Sequence, residues 1–282
     1  MNSEWTTVIT NRSNGMIDGF KQLNNYGDLI RLFAKRNISV KYKQTILGPL
    51  WIVLMPIISA FISNFVFGYV AGIETGVVPY FVFYFVGHTI WSFFSSCTTS
   101  TSTTFTSNAH LFRKIYFPRL VVPIATLLTN LIQFAIQFGV MVVVLLIFGC
   151  MDMGIAPAWE YIWLLPLLVV VAGVFALGVG CIFSSLTAKY RDLSALTGFI
   201  INLWMYVTPV VYMSASLQDF YWITFANPMA SIVEAFRFVC LGTGGGALDW
   251  WGLLASLGIT LVVAFFGLWL FHKTEKNFVD VV

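Results

Sequence analysis

The sequence predicts an all-α integral membrane protein, and three observations carry the prediction. Only 10% of the 282 residues are charged, while 59% are hydrophobic and the mean hydropathy is +0.85; a soluble domain carries roughly 25% charged residues. The charges gather at intervals and leave six uncharged, largely apolar runs, each able to supply the roughly 20 residues that cross a bilayer as a helix. None of the runs alternates with the two-residue period of a barrel strand. Helices, which satisfy their own backbone hydrogen bonds, are therefore the expected solution in hydrocarbon.

Residues 1–46 form the first unit, an N-terminal segment with an amphipathic interface helix. From Tyr26 to Thr45, Tyr26, Leu29, Ile30, Phe33 and Val40 recur on one side, with Arg31, Lys35, Arg36, Lys41 and Lys43 distributed elsewhere. Such a helix lies along the membrane surface. It leads into VKYKQTILGPLW, residues 40–51, where Gly48 and Pro49 turn the chain into the bilayer. The cations serve as a topology signal or attract a phosphorylated lipid, at roughly 1 kcal/mol per cation; Arg36, Lys41 and Lys43 are the candidates for that attraction. The first 45 residues lack the apolar core of a cleaved signal peptide, so the first span is expected to remain.

The second unit, residues 47–272, holds six expected spans at 48–71, 80–105, 120–149, 161–187, 194–213 and 250–271, and residues 273–282 form a tail. With the N-terminus inside, fourteen of the fifteen Lys and Arg residues fall on one side and only Arg237 on the other. That asymmetry places both termini in the cytoplasm. Trp159, Trp163, Trp222, Trp250 and Trp251 then mark the outer interface.

The connections carry further readings. SSCTTSTSTTFTS, 95–107, closes the second span, and its small hydroxyl side chains suit close helix packing or a hydrated lining. NAHLFRKIYFP, within 107–118, forms a short helix with Asn108 as N-cap and Pro118 at its end. Leu111, Phe112, Ile115 and Tyr116 would leave it an exposed apolar surface, fit for a socket in another protein or for the membrane. The external region 213–249 is too interrupted for a span and too apolar for a solvated loop, so two short re-entrant helices are expected, turning at Asn227-Pro228. Glu234 and Arg237, three residues apart, suit a pair on one helical face. Pro209 is expected to kink the fifth span, and LGTGGGALDW, 241–250, to form a flexible link. Aromatic residues make up 17% of the chain. Among them Phe61, Phe65, Trp204, Tyr206 and Tyr212 are candidates to line a route for sugars, since ring faces stack on sugars without trapping them. Cys97, Cys150, Cys181 and Cys240, and likewise His88, His110 and His272, show no metal-ligand spacing, so no metal site is expected.

Four segments in series, VKYKQTILGPLW, LFRKIYFPRLVVP at 111–123, KYRDLSALTGFIINLWMYVTPVVY at 189–212 and NPMASIVEAFR at 227–237, resemble the permease subunit of polysaccharide ABC exporters. Members of that family move O-antigen, capsule or teichoic acid chains on lipid carriers. The resemblance spans about residues 26–275. It implies residence in the bacterial inner membrane, a second copy of the chain as partner, two ATP-binding cassette ATPase subunits, and a lipid-linked polysaccharide as cargo, O-antigen foremost and capsule or teichoic acid as alternatives. It also implies a coupling helix between the second and third spans, carried here by Leu111, Phe112, Arg113, Lys114, Ile115 and Tyr116. The sequence contains no GxxxxGK[ST] phosphate loop. The chain is thus expected to be a transport subunit without its own cofactor, ATP and Mg entering through the ATPase, and without a nucleic-acid partner. A secondary carrier would place ionisable groups at mid-membrane, and a membrane glycosyltransferase would need converging acids; neither pattern is present in the sequence.

Overall fold

A computed structural model of the chain describes residues 26–43, 45–114, 117–151, 153–190, 192–215 and 222–281. Residues 1–25 of the N-terminal segment, Ile115 and Tyr116 of the loop, and residues 216–221 of the external region lie outside the described residues. The regular elements among the described residues are all helical: α1 (Gly27–Tyr42), α2 (Gly48–Val70), α3 (Tyr80–Ser102), α4 (Thr104–Ser107), α5 (Ala109–Lys114), α6 (Val121–Cys150), α7 (Leu164–Lys189), α8 (Leu193–Val207), α9 (Trp222–Ala226), α10 (Pro228–Leu241) and α11 (Trp250–Val281). Gly48 takes φ +50°, a left-handed value that suits glycine, and Pro49 opens α2 in a 3-10 turn.

Among the described residues, four helices are long and apolar enough to cross a bilayer: α2, α6, α7 and the Trp250–Glu275 part of α11. The remaining two expected spans differ from these. α3 has 23 residues, but Tyr, His, Ser and Thr dilute its apolar character, and most of it is buried in the middle of the fold. α8 has 15 residues, about 22 Å at 1.5 Å per residue, short of the roughly 30 Å of hydrocarbon. The expected span 194–213 ends at Val207 because Thr208, preceding a proline, is extended at φ −90°, ψ 137°. Pro209 therefore stops the helix instead of kinking it.

α3 and α7 form the centre. They pack against each other, with α6, α10 and α2 around α3 and α11 against α7. Small residues bring the backbones together, as is usual where helices associate in lipid. A Cβ on Gly178 would lie 2.7 Å from the backbone of Ala264, and one on Gly267 would strike the carbonyl of Gly178. The inward-facing side of the Ser/Thr run takes the packing option. Thr98, Thr101, Ser102 and Thr104 are buried, and Thr187 donates across to the Ser102 carbonyl at 2.7 Å. The glycine run is likewise a packed turn and not a flexible link. Gly242 has φ +69° and its α-carbon faces the Ala156 carbonyl, while a Cβ on Gly245 would come within 2.5 Å of the Arg237 carbonyl.

Gly178→Val should force α7 and α11 apart and lower stability by about 1–3 kcal/mol, the usual range for overpacking. Gly198→Ala, where an added Cβ meets nothing within 4 Å, should leave it nearly unchanged. Thermal unfolding of the full-length chain in detergent measures both, and equal melting temperatures for the two variants would overturn the assignment of a close α7–α11 crossing.

Candidate functional site

Three places in this apolar fold concentrate chemistry. The first lies where α1, α4, α5, the start of α6 and the end of α11 converge. Phe33, Phe105, Phe117 and Phe271 are buried there, with Phe105 and Phe271 rings 4.6 Å apart and Phe33 and Phe117 5.6 Å apart. Phe112 of α5 lies 5.6 Å from Phe117 and 6.2 Å from Phe105, and Leu111 packs on the same cluster. Both were expected to face outward. They are half-buried because Phe105 of α4 and Phe117 ahead of α6 pack on Phe112, and Leu111 joins the same cluster. His110 and Lys114 supply the exposed face of α5; the side chain of Arg113, like Ile115 and Tyr116, lies outside the described residues. The carbonyl of Asn108 accepts the first helical bonds from Leu111 and Phe112, while its side-chain amide donates back to Thr104 at 3.0 Å. Buried Arg119 ties α6 to α11: its backbone N–H donates to Glu275 at 3.3 Å, its guanidinium to the Glu275 carbonyl.

The second place is a cavity of about 420 Å³ bounded by the end of α1 and by α2, α3 and α6. Its walls carry the hydroxyls of Ser59, Ser92 and Ser96, the ring of His88, and the amides of Gln133 and Gln137. Lys41 donates from Nζ to Gln133 Oε1 at 2.9 Å, 92 residues away in sequence. Partial desolvation lowers the pKa of its ammonium from the ordinary lysine value. The three cations grouped from the sequence therefore separate. All three are exposed side chains, but Lys41 turns its ammonium into the cavity, whereas Arg36 lies 4.7 Å over the Phe33 ring and Lys43 stays outside the lining.

The third place is the end of α8. Arg237, 1% exposed, donates from Nη2 to the carbonyls of Pro209 at 2.7 Å and Val210 at 3.2 Å, and its guanidinium lies 3.7 Å over the Phe83 ring. No ion pair within 4.0 Å joins it to Glu234. The helical spacing of three is overridden because the freed carbonyls and an aromatic face take the cation inward, and Glu234 bonds to Ser214. Asn227 completes the arrangement. Its Oδ1 caps α10 at the Met229 N–H and accepts from Trp204 Nε1, both at 3.2 Å, and its amide donates to Thr208 Oγ1 at 2.9 Å.

The candidate lining residues divide accordingly. Phe61 and Phe65 of α2 and Tyr206 of α8 are exposed. Trp204 instead turns inward, edge-on to Phe94 and Phe175 at 5.5 and 5.9 Å. Tyr212 folds back, its hydroxyl donating to the Tyr206 carbonyl at 3.1 Å. Sequence reasoning missed Gln133, His88, Arg119 and Asn227 as members of these sites. For the first, a signal existed: Asn130, Gln133 and Gln137 are amides inside an uncharged apolar run, where polar groups are costly.

A family model described as ABC-2 type transporter matches residues 28–241. The chain is 31% identical over 256 residues to the O-antigen export system permease protein RfbA of Klebsiella pneumoniae, covering 90% of this chain and 95% of that protein. A second Klebsiella pneumoniae protein of the same name is 28% identical over the same shares. The RfbA protein of Myxococcus xanthus is 26% identical, covering 79% of this chain and 84% of its own.

Arg237→Met should cost about 3 kcal/mol by leaving buried carbonyls without their donor, read as a drop in the unfolding midpoint. Glu234→Gln, which keeps a hydrogen-bonding side chain, should change it by less than about 0.5 kcal/mol. A similar loss in both variants would mean that the two side chains act as an ion pair after all.

Proposed function

The chain belongs to the ABC-2 type transporter family, and from that premise we propose that it is the membrane subunit of an ATP-driven exporter carrying lipid-linked polysaccharide, O-antigen foremost, from the cytoplasmic side across the bacterial inner membrane. The observation that carries this reading is the similarity, over 90% of the chain, to proteins named for O-antigen export. In this reading α3 and α8 complete six spans with α2, α6, α7 and α11, both termini are cytoplasmic, and α9 and α10 are re-entrant from the outer face. The one-sided distribution of Lys and Arg supports the orientation, and the Asn227 junction between α9 and α10 supports the re-entrant turn.

Two copies of the chain enclose the route, because one set of six helices is too small to surround a hydrated sugar polymer. The exposed aromatic and aliphatic faces of α2 and α8, with Phe61, Phe65, Phe199, Leu203 and Tyr206, supply its walls. Trp204 and Tyr212 keep the α8 wall in shape. Arg36, Lys41 and Lys43 attract the phosphorylated carrier at the inner leaflet. ATP and Mg are held by a separate ATPase bound to each copy. Its docking surface is the α5 loop from Leu111 to Tyr116, whose Leu111 and Phe112 rest on the cluster shared by α1 and α11, so a push on the loop reaches both helices.

Lys114→Glu, on the exposed face of α5, should reduce the ATPase recovered with the permease by about fivefold while leaving the permease folded; unchanged recovery and unchanged ATP turnover would remove this loop from the interface. Cysteine at Leu203, with exposed Cys150 replaced by Ser, should cross-link two copies in liposomes that export glycan. Full export by a stable monomer would sink the two-copy route.

A further inference from the structure

We propose that the cavity beneath α1 binds the phosphate headgroup of a lipid, whose apolar chain leaves between α2 and α6. The inference deepens the export reading, and rests on it only for whether that lipid is the glycan carrier or a bilayer phospholipid, since both present the same phosphate.

The lining explains the choice of an anion. Among the described residues it contains the Lys41 ammonium, the His88 ring, three serine hydroxyls and two glutamine amides, and no Asp or Glu. Gln133 is 8% exposed, and its Nε2 has no hydrogen-bond partner among the described residues. Because its Oε1 accepts from Lys41 at 2.9 Å, the amide is oriented with the NH₂ as the end left for a ligand. A buried amide without a partner costs about 1–3 kcal/mol; phosphate oxygens supply several acceptors at once, and a cation beside them strengthens each bond. A cavity of about 420 Å³ holds a phosphate or diphosphate with some water, given roughly 30 Å³ of liquid volume per water molecule.

The rest of the site explains the choice of a lipid. Trp51, Ile52, Met55 and Pro56 form the other walls. Beyond them the outer faces of the two bounding helices are apolar, with Met55 and Ile58 exposed on α2 and Ile132 and Ile136 on α6. A headgroup seated on Lys41 and Gln133 thus has exposed apolar helix faces beside it. A free anion would gain nothing from those faces, while a lipid chain buries itself against them.

The test is native mass spectrometry of the full-length chain titrated separately with polyprenyl diphosphate, phosphatidylglycerol and inorganic diphosphate. Lys41→Met and Gln133→Leu should weaken lipid binding at least about tenfold, as expected for losing a bond to a charged group. Lys189→Gln, an exposed cation outside the cavity, should stay within about twofold. Should Lys41→Met fail to give a monodisperse protein, Gln133→Glu, of the same shape with a repelling carboxylate, carries the test. Tighter binding of polyprenyl diphosphate identifies the carrier as occupant, and tighter binding of phosphatidylglycerol a bilayer lipid; both uphold the proposal. Equal binding by the variants and the native chain, or inorganic diphosphate bound as tightly as either lipid, overturns it. The titration needs neither ATPase nor glycan, so a failed export assay would count against the export reading alone.

Discussion

The break after α8 frees the carbonyls of Pro209 and Val210 from helical donors, and one guanidinium, that of Arg237, takes both. In hydrocarbon every backbone polar group needs a partner, so irregular chain survives only where protein covers and satisfies it. The neighbourhood is arranged around that need. Gly87 of α3 leaves room where a Cβ would lie 2.5 Å from Arg237 Nη2, Phe83 offers its ring face to the charge, and the Gly242–Gly245 turn packs against the Arg237 carbonyl. Asn227 then joins the same break to the start of α10 through Thr208 and Trp204. One buried cation therefore fixes the relative positions of α3, α8 and α10.

The opposite, cation-rich end is held by rings. Phe33, Phe105, Phe117 and Phe271 come from four separate parts of the chain, and Phe112 rests on two of them. Aromatic packing of this kind joins α1, the α5 loop, α6 and α11. Arg119 and Glu275 add a polar tie between α6 and α11. A displacement of α5 is thereby transmitted by contact, since close-packed side chains yield little before their neighbours move.

Much of this was legible in the chain itself, and the remainder shows which physics is not local. Uncharged runs located α2, α6, α7 and α11 because burial in lipid demands them residue by residue. Of the apolar stripe Tyr26, Leu29, Ile30, Phe33 and Val40 that marked α1, the first four pack on the ring cluster, while Val40, beyond the reach of that cluster, is exposed. The end of α8 was also written locally: a residue preceding proline avoids the helical region, and reading Pro209 as a kink overlooked that rule. Arg237 could not be placed from its spacing to Glu234, because its partners lie 27 and 28 residues away. Nor could Lys41 and Gln133 be joined before α1 was known to lie on α6. The glycine run signalled conformational freedom, yet the missing Cβ of Gly242, Gly244 and Gly245 serves close approach there; composition alone cannot distinguish the two uses.

The distribution of tight contacts also bears on where an export cycle could move. α7 is locked on both sides: Gly180 admits Thr101 of α3 so closely that a Cβ would lie 2.6 Å from it, and Gly178 admits the backbone of α11. Separating these helices would open voids and forfeit dispersion contacts along their length. α8 is different. Only Thr197 and Ile201 are buried within it, while Phe199, Leu203 and Tyr206 are exposed, so its packing is confined to one narrow stripe. A tilt of α8 about its clamped end at Thr208 would disturb few contacts, whereas the same tilt of α3 or α7 would dismantle the centre. Arg237 and Asn227 therefore act as an anchor that keeps the broken backbone satisfied while the body of α8 remains the least costly wall to shift.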